Sequence, residues 1–192
     1  MRERPIIFNA DMVRAVLDGR KTQTRRIIQE RHLYRGGRTA GNWPVHMPEG
    51  EEGEKARLWA ESNSPFGAVG DRLWVRETWA RYNIDQNSHD MAYRATTPED
   101  WPKEGRWRPS IHMPRWASRI TLEITDVRVE RLHAITLGDI CKEFGCGLYD
   151  FRPATYGFTA WEELWKSIYG DDSWQANPWV WVIEFKSVEG QE

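Results

Sequence analysis

The chain has 192 residues, a formal net charge of −2 and 40% hydrophobic residues. This content is enough for a packed core and argues against wholesale disorder, and the near-neutral charge is unlike that of proteins that bind long duplexes. No apolar run approaches the roughly 18 residues that span a membrane, and the N-terminus lacks the apolar stretch of a signal peptide, so we expect a cytoplasmic protein with no membrane partner.

The beginning of the chain predicts a strand, a helix and a second strand. Residues Pro5 to Phe8 form a short apolar run that is typical of a buried strand. Asn9 is a favourable helix N-cap, and Gly19 suits the left-handed conformation in which many helices end, so a helix is expected between them. Residues Thr22 to Ile28 then predict a strand.

Two long stretches lack a sustained hydrophobic period and predict insertions. The first covers about residues 29–69 and indicates a long loop or a lid. The second covers about residues 81–117, with a short strand expected at Met91 to Arg94. Between them, the β-branched and aromatic residues from Arg72 to Trp79 predict a strand.

The last third of the chain contains the clearest strand pattern. Apolar residues nearly alternate from Ser118 to Leu132, and Thr125-Asp126 marks an expected bulge. Residues Pro178 to Val188 predict the closing strand.

Two helices are expected between these strands. Thr136 can cap a helix that runs to about Phe144. Thr159, with Glu162 at the capping-box position, predicts the start of a second helix, which Gly170 ends.

The order of these elements predicts the fold class. Strands do not alternate regularly with helices, which disfavours a doubly wound parallel sheet. We therefore expect an α+β protein, with one domain spanning residues 1–192 and a small, mixed, mostly antiparallel β-barrel with flanking helices.

The two cysteines, Cys141 and Cys146, predict reduced thiols. A C-x4-C pair cannot by itself supply the four ligands of a zinc site, and no histidine nearby completes one. No metal and no cofactor are therefore expected.

The segment from Gly19 to Arg26 reads G-R-K-T-Q-T-R-R. It resembles the ASCH signature, G-x-K-x-x-E-x-R, of the PUA-like superfamily. Gly19, Lys21 and Arg26 match this signature, whereas Thr24 stands where the signature has a glutamate. The bacterial N4-acetylcytidine amidohydrolases, a catalytic branch of the family, also have G-R-K-T-x-T at this place.

Three further segments are similar to strands of those amidohydrolases: Gly70 to Val75, Ile120 to Thr125, and Val182 to Lys186. All four blocks in order are more specific than the signature alone and cover about half of the chain. The two insertions have no counterpart in the compact enzymes. The whole chain is more similar to the longer ASCH-like proteins of phages and prophages.

The resemblance implies a β-barrel cleft that holds a modified nucleoside or a short RNA. It implies an amidohydrolase that cleaves the N-acyl group of an acylated pyrimidine nucleoside of the N4-acetylcytidine type. By the same resemblance, Thr24 is the nucleophile, Lys21 activates it, and Glu123 orients the lysine or handles a proton.

Elementary chemistry sets two conditions on this site. Lysine can take the proton of a threonine hydroxyl only if burial or nearby cations lower the lysine pKa, and a carboxylate partner acts in the opposite direction. Residues three apart in an ideal strand point to opposite faces, so Lys21 and Thr24 meet only if the chain bends between them.

Further residues are candidates for substrate binding. Two prolines stiffen the loop of residues 109–116, where His112 could hydrogen-bond a base or phosphate and Trp116 could stack on a base. The complete set comprises Arg26, Arg76, Glu77, Trp79, Ser110, His112, Arg115 and Trp116.

Three alternatives remain open from the sequence, the last of them a phage-specific role such as a partner-binding factor. The first is a non-catalytic, PUA-like module that binds short RNA, which the arginine and tryptophan content favours. The second is an ASCH-type ribonuclease in which Lys21 and His112 transfer protons. The sequence does not predict the oligomeric state.

Overall fold

The computed structural model describes residues 1–28, 34–35, 38–39, 54–81, 91–147 and 149–188. Within these ranges the strands are β1 (Glu3–Ile7), β2 (Gln23–Ile27), β3 (Tyr34–Arg35), β4 (Arg38–Thr39), β5 (Arg72–Arg76), β6 (Trp79–Arg81), β7 (Met91–Tyr93), β8 (Thr121–Arg131) and β9 (Trp179–Val188). The α-helices are α1 (Ala10–Leu17), α2 (Glu54–Asn63), α3 (Leu137–Phe144), α4 (Thr155–Tyr169) and α5 (Asp171–Gln175).

A five-stranded sheet in the order β1-β5-β8-β9-β2 forms the centre of the molecule. β1 and β5 are parallel, and the other three pairs are antiparallel. Two small antiparallel sheets, β3-β4 and β6-β7, complete the described strands. The prediction of a mixed, mostly antiparallel α+β fold is confirmed.

The expected closed barrel is not formed by the described strands. β1 and β2 are the two edges of an open sheet, and α1 connects them in the chain. The side chain of Arg26 reaches across, where its Nη2 donates to the carbonyl oxygen of Ile7 at 2.9 Å. In a closed barrel, a ladder of backbone hydrogen bonds would join β1 and β2. Here the guanidinium of Arg26 makes a contact between them instead.

Local signals fix α1 as the sequence predicts. Oδ1 of Asn9 accepts from the backbone N–H of Met12 at 2.9 Å and so caps the helix. After the helix, Gly19 has φ 68°, which glycine adopts without a Cβ penalty. The amides of Arg20 and Lys21 then both donate to the carbonyl of Ala15, at 2.8 and 2.9 Å. This turn directs Lys21 back towards the body of the protein.

β8 contains the predicted bulge, where its register with β9 shifts between Ile124 and Asp126. Ile124 and Val127 on either side of the shift are both fully buried. Because the shift changes the alternation, Arg128 and its neighbours on that face point towards α3.

α3 ends against the segment that carries Lys21. Thr136 and Asp139 form a reciprocal capping box at its start, as expected for a cap at Thr136. Its C-cap, Gly145, has φ 72°, and a Cβ at this position would lie 2.8 Å from Cβ of Arg20. This close approach allows the amide of Thr22 to donate to the carbonyl of Lys142 at 3.2 Å.

The predicted start of α4 is wrong by one helical turn. The helix begins at Thr155, and the hydroxyl of Thr159 donates to the carbonyl of Thr155 at 3.1 Å inside the helix. A threonine hydroxyl can bond backward to the residue four positions earlier as well as cap, and here it does the former. Gly170 ends the helix as predicted.

Two hydrophobic clusters cover opposite faces of the sheet, and alternate residues of β9 supply both. Trp181 and Ile183 belong to the cluster on the α1 side, and Val180 and Val182 to the cluster under α3 and α4. β9 is therefore buried on both faces, which explains its apolar composition.

The insertions are partly described. Within residues 29–69, α2 packs Trp59 on Trp181 with parallel rings 5.5 Å apart. The short strand expected in the second insertion is confirmed as β7. The interpretation of residues 29–69 as a lid falls mostly outside the described residues. No helix in the described ranges is long and apolar enough to cross a membrane.

Candidate functional site

Lys21 is buried at the junction of α1, β2 and α3, with 3% of its surface exposed. Its Nζ donates to the backbone carbonyl of Glu143 at 2.7 Å and to Oε2 of the same residue at 3.0 Å. The turn after α1 and the close approach at Gly145 together produce this contact. A lysine held by two oxygens of one residue has a fixed position, unlike an ordinary surface lysine.

Burial lowers the pKa of Lys21 below its ordinary value, because the ammonium loses its hydration. The carboxylate of Glu143 favours the charged form and opposes this shift, whereas Arg26 and Arg25 add to it. The net direction is downward. The structure thus answers the question that the sequence left open: desolvation outweighs the carboxylate partner.

The second oxygen of Glu143 is bound by Arg25. Nη1 of Arg25 lies 3.2 Å from Oε1 of Glu143, and Nη2 lies 3.0 Å from Oε2 of Glu130 and 3.6 Å from Oδ2 of Asp139. The Arg25 side chain is completely buried, and its guanidinium carbon lies 5.9 Å from the ring centroid of Trp161. One carboxylate is therefore shared by two buried cations.

Arg128 extends this arrangement towards the surface. Its guanidinium contacts Asp126 at 3.1 Å, Glu130 at 2.6 Å, Asp139 at 3.3 Å and Glu184 at 2.7 Å. Residues from β8, β9 and α3 thus share one network of ion pairs, which continues through Arg25 to the Glu143 carboxylate.

Thr24 lies on the opposite face of β2 from Arg25 and is completely buried. Its Oγ1 accepts a hydrogen bond from Nη1 of Arg26 at 2.9 Å. Within the part of the chain that the structure describes, the Thr24 hydroxyl proton has no acceptor. A buried hydroxyl with an unused proton is poised to donate to a base or a bound ligand.

The ring of Phe8 lies near Lys21 and near Arg26, the arginine that hydrogen-bonds Thr24. Nζ of Lys21 is 5.9 Å from the ring centroid, and the guanidinium carbon of Arg26, which holds Thr24, is 5.7 Å from it. Lys21 and Arg26 are therefore near one side chain, and among the described residues no hydrogen bond joins Lys21 to Thr24.

Glu123, the predicted carboxylate of the site, lies elsewhere. Its Oε1 is 3.0 Å from Nζ of Lys186 on the neighbouring strand, and its side chain is 34% exposed. It makes no ion pair with Lys21 among the described residues. The carboxylate that contacts Lys21 is Glu143.

Sequence reasoning missed Glu143, although the sequence contains a signal for it. Glu143 occupies the last turn of α3, just before Phe144 and the C-cap Gly145. A negative charge there is unfavourable, because the helix dipole places partial negative charge at the same end. An acidic residue in this position needs a cation nearby, and Lys21 and Arg25 supply two.

A cavity of about 270 Å³ opens beside Glu143, between α1, α3 and α4. This volume is near the lower end of the range for small-ligand pockets. Its lining is mostly apolar and comprises Asn9, Asp11, Met12, Ala15, Glu143, Phe144 and Leu164. A second and much smaller space, of about 10 Å³, is also lined by Met12 and Glu143, together with Arg25, Arg26 and aromatic residues of α4.

Most of the other predicted binding residues gather in a second place, at the end of β5 and in the loop of residues 109–116. Arg76 donates to the carbonyls of Ile111 and Met113, the latter at 3.1 Å, and so fastens this loop. Glu77 is buried and forms a two-pronged ion pair with Arg119, at 2.9 and 3.1 Å. Arg76 and Glu77 thus have structural partners.

The loop itself consists of two short 3₁₀ turns, Ser110–His112 and Arg115–Ala117. His112 is exposed, and Arg115 pairs with Glu3 at 2.8 Å. Trp79 is buried, and its ring meets that of Trp116 edge-on at 6.0 Å. Among the described residues, neither Lys21 nor Glu143 hydrogen-bonds or pairs with any side chain of this loop, so the two places are separate.

Comparisons with protein-family models, curated proteins and solved structures each found no match to this chain.

Proposed function

We propose that this protein is an ASCH-like amidohydrolase that removes the acyl group from an N-acylated pyrimidine nucleoside of the N4-acetylcytidine type. The observation that carries the proposal is the buried Lys21, whose pKa is lowered by burial and whose Nζ lies 3.0 Å from Glu143 beside a cavity. A lysine whose pKa is lowered is neutral, and so able to act as a base, at a lower pH than a solvated lysine.

The reaction is a two-step acyl transfer. Neutral Lys21 takes the proton of the Thr24 hydroxyl, and Oγ1 attacks the acyl carbonyl carbon. The bond from that carbon to the exocyclic nitrogen breaks, and the nitrogen takes the proton from Lys21. Water then hydrolyses the resulting threonine ester and releases the carboxylic acid.

Glu143 replaces Glu123 in the proposed catalytic set. Its carboxylate and its backbone carbonyl both hold Nζ of Lys21, at 3.0 and 2.7 Å. This leaves the third donor position of the ammonium for the substrate or for Thr24. Glu143 therefore orients the base and does not itself exchange the reacting proton.

Arg26 supports the nucleophile in this scheme. Its Nη1 donates to Oγ1 of Thr24 at 2.9 Å. A fixed cation at this distance stabilises the negative charge that develops on the oxygen when its proton leaves.

The cavity favours an uncharged ligand. Asp11 and Glu143 contribute carboxylates to its lining, and the rest is largely apolar. No lysine or arginine is among the lining residues to bind a phosphate, whereas a neutral heterocycle can pack against Met12, Phe144 and Leu164. We therefore favour the free nucleoside or base over a nucleotide.

The test is hydrolysis of N4-acetylcytidine to cytidine, followed by its ultraviolet change. We expect turnover by the wild type, a large loss in Lys21→Ala and Thr24→Val, and partial activity in Thr24→Ser, which keeps a hydroxyl. Lys186→Ala is the matched control for removal of a lysine. Thr24→Ala hydrolysing at the wild-type rate would refute the nucleophile, and no turnover over a panel of acylated cytosines and cytidines would refute the activity.

A second candidate function, binding of short RNA, is favoured by one feature of the second insertion. The guanidinium carbon of Arg81 lies 5.5 Å from the ring centroid of Trp116, and that of Arg108 lies 5.2 Å from Trp79. Neither arginine forms an ion pair with a described residue. Exposed arginines beside aromatic rings are typical of single-strand binding surfaces.

This candidate predicts salt-dependent binding of a short single-stranded RNA. Arg81→Ala and Arg108→Ala should each weaken binding and reduce the slope of log K against log[salt] by about 0.7. Arg20→Ala, which removes an arginine that pairs with Asp18 and, among the described residues, not with an aromatic ring, is the control. Affinity that does not change with salt would exclude this function.

A further inference from the structure

Arg25 joins the sheet to α3 at the point where Glu143 holds Lys21. Its two terminal nitrogens reach one carboxylate on β8, Glu130, and two on α3, Asp139 and Glu143. The side chain is completely buried between these elements. A guanidinium suits this place because its donors lie in one rigid fork.

The charges around Lys21 come from two elements. Glu143 of α3 contributes its carboxylate, and Arg25 and Arg26 of β2 contribute like charges. Only one of these three groups favours the ammonium, and Arg25 binds the other oxygen of that group at 3.2 Å. The single negative charge of Glu143 is therefore divided between two cations.

The groups behind Arg25 do not reach Lys21 directly. Glu130 of β8 and Asp139 of α3 bind Arg25 and are also bound by Arg128. Further out on β9, Glu184 pairs with Lys142 at 3.1 Å. Of the members of this network, Glu143 and Arg25 are the two whose charges shift the pKa of Lys21.

We propose that Arg25 is a positioning residue of this site: it holds one oxygen of Glu143, fixes the other oxygen on Nζ of Lys21, and prevents Glu143 from compensating the lysine charge fully. Its catalytic consequence rests on the proposed amidohydrolase function. Without Arg25, the Glu143 carboxylate pairs with Lys21 alone, so the ammonium form of Lys21 is more stable. Less of the neutral lysine is then present at a given pH.

The test measures the ionisation of Lys21 directly. Protein labelled with ¹³C-lysine is titrated by NMR, and the ¹³Cε signal of Lys21 is assigned by its loss in Lys21→Arg. We expect the midpoint to move to higher pH in Arg25→Gln and to move less in Arg25→Lys, which restores the charge but not the fork of donors. Arg20→Gln is the matched control, because Arg20 is half exposed and pairs with Asp18.

An unchanged midpoint in Arg25→Gln would overturn the proposal, as would an equal shift in Arg20→Gln or in Arg25→Lys. Arg25→Gln leaves excess buried carboxylates, so the double variant Arg25→Gln/Glu130→Gln, which removes both charges, gives the same test if the single variant does not fold.

Hydrolysis assays supply the second readout. In Arg25→Gln, the limb of the pH–rate profile that reports the base should shift to higher pH together with the NMR midpoint, and kcat should fall more than KM rises. If the wild type does not hydrolyse the substrate, the proposed function fails while the NMR titration still decides the role of Arg25.

Discussion

Oε2 of Glu143 lies 3.0 Å from Nζ of Lys21, although 122 residues separate them in the chain. The side chains of Lys21 and Glu143 are almost completely buried, with 1% and 3% of their side-chain surface exposed, respectively. A buried pair of this kind contributes little net stability, because desolvation offsets most of the attraction. A buried ion pair beside a cavity is a candidate for a functional site.

The first prediction tests which of two glutamates, Glu143 or Glu123, orients Lys21. Glu143→Gln should reduce hydrolysis of N4-acetylcytidine by about 100-fold or more, because the base loses the group that orients it. Glu123→Gln should stay near the wild-type rate, because Glu123 contacts Lys186 instead. Steady-state kinetics of the two variants measure this, and the reverse ranking would restore Glu123 to the site.

The second prediction concerns stability at alkaline pH. The pKa of Lys21 is lowered by burial from an ordinary value of 10.5, so between the folded-state pKa and 10.5 the unfolded chain binds more protons than the folded one. The free energy of unfolding of the wild type should therefore rise with pH in this window, relative to Lys21→Met. Urea unfolding at a series of pH values measures it, and a difference that does not change with pH would contradict it.

The third prediction concerns the stability of the protein at acidic pH. Burial alone would raise the pKa of Asp139, but hydrogen bonds from Thr136 and the charges of Arg25 and Arg128 outweigh it, so the pKa is lowered from 3.8. The stability that this carboxylate adds is present above that value and is lost as pH falls through the folded-state pKa.

Asp139→Asn should therefore unfold with a weaker dependence on pH below about 4. It should also cost about 1 kcal/mol at neutral pH, because the charge that pairs with Arg25 and Arg128 is lost. Acid titrations followed by circular dichroism compare the two proteins, and parallel curves would show that Asp139 does not contribute.

The fourth prediction concerns the thiols. The pKa of Cys146 is raised to about 12, first by burial and then by a hydrogen bond with Cys141. The nearby charges of the Cys141 sulfur and of Asp150 act in the same direction. Since the thiolate is the reactive form, Cys146 should react slowly with a disulfide reagent at pH 8 and quickly after unfolding in urea. Cys146→Ala identifies its share of the signal, and fast reaction of the folded protein would contradict the prediction.

The fifth prediction compares Gly138, which lies in the first turn of α3, with Gly145, which is the C-cap of this helix. Gly145→Ala should destabilise the protein by about 1–2 kcal/mol, because φ is 72° and the added Cβ would lie 2.8 Å from Cβ of Arg20. Gly138→Ala should stabilise it by up to about 1 kcal/mol, because this residue lies in the helix and its Cβ has space. Thermal or urea unfolding measures both, and equal effects would contradict the close approach at Gly145.

Much of the fold could be predicted from the sequence because its signals are local. Asn9 and Thr136 cap their helices, Gly19 and Gly170 end helices, and the bulge in β8 lies where the alternation breaks. The start of α4 could not be predicted from the sequence. A threonine hydroxyl can either cap a helix or hydrogen-bond to a carbonyl inside it, and the local sequence does not decide between the two.

The sequence by itself determined the α+β class with a mostly antiparallel sheet and the order of the five central strands along the chain, and it made Lys21, Thr24 and Arg26 candidates for a site. Only the tertiary structure decided which carboxylate meets Lys21, that Arg25 shares it, and that the sheet stays open between β1 and β2. The physical reason is that ion pairs such as Lys21–Glu143 form between residues far apart in the chain, and their partners depend on how α3 packs on the sheet. Burial, which sets the direction of the Lys21 pKa, depends on that same packing.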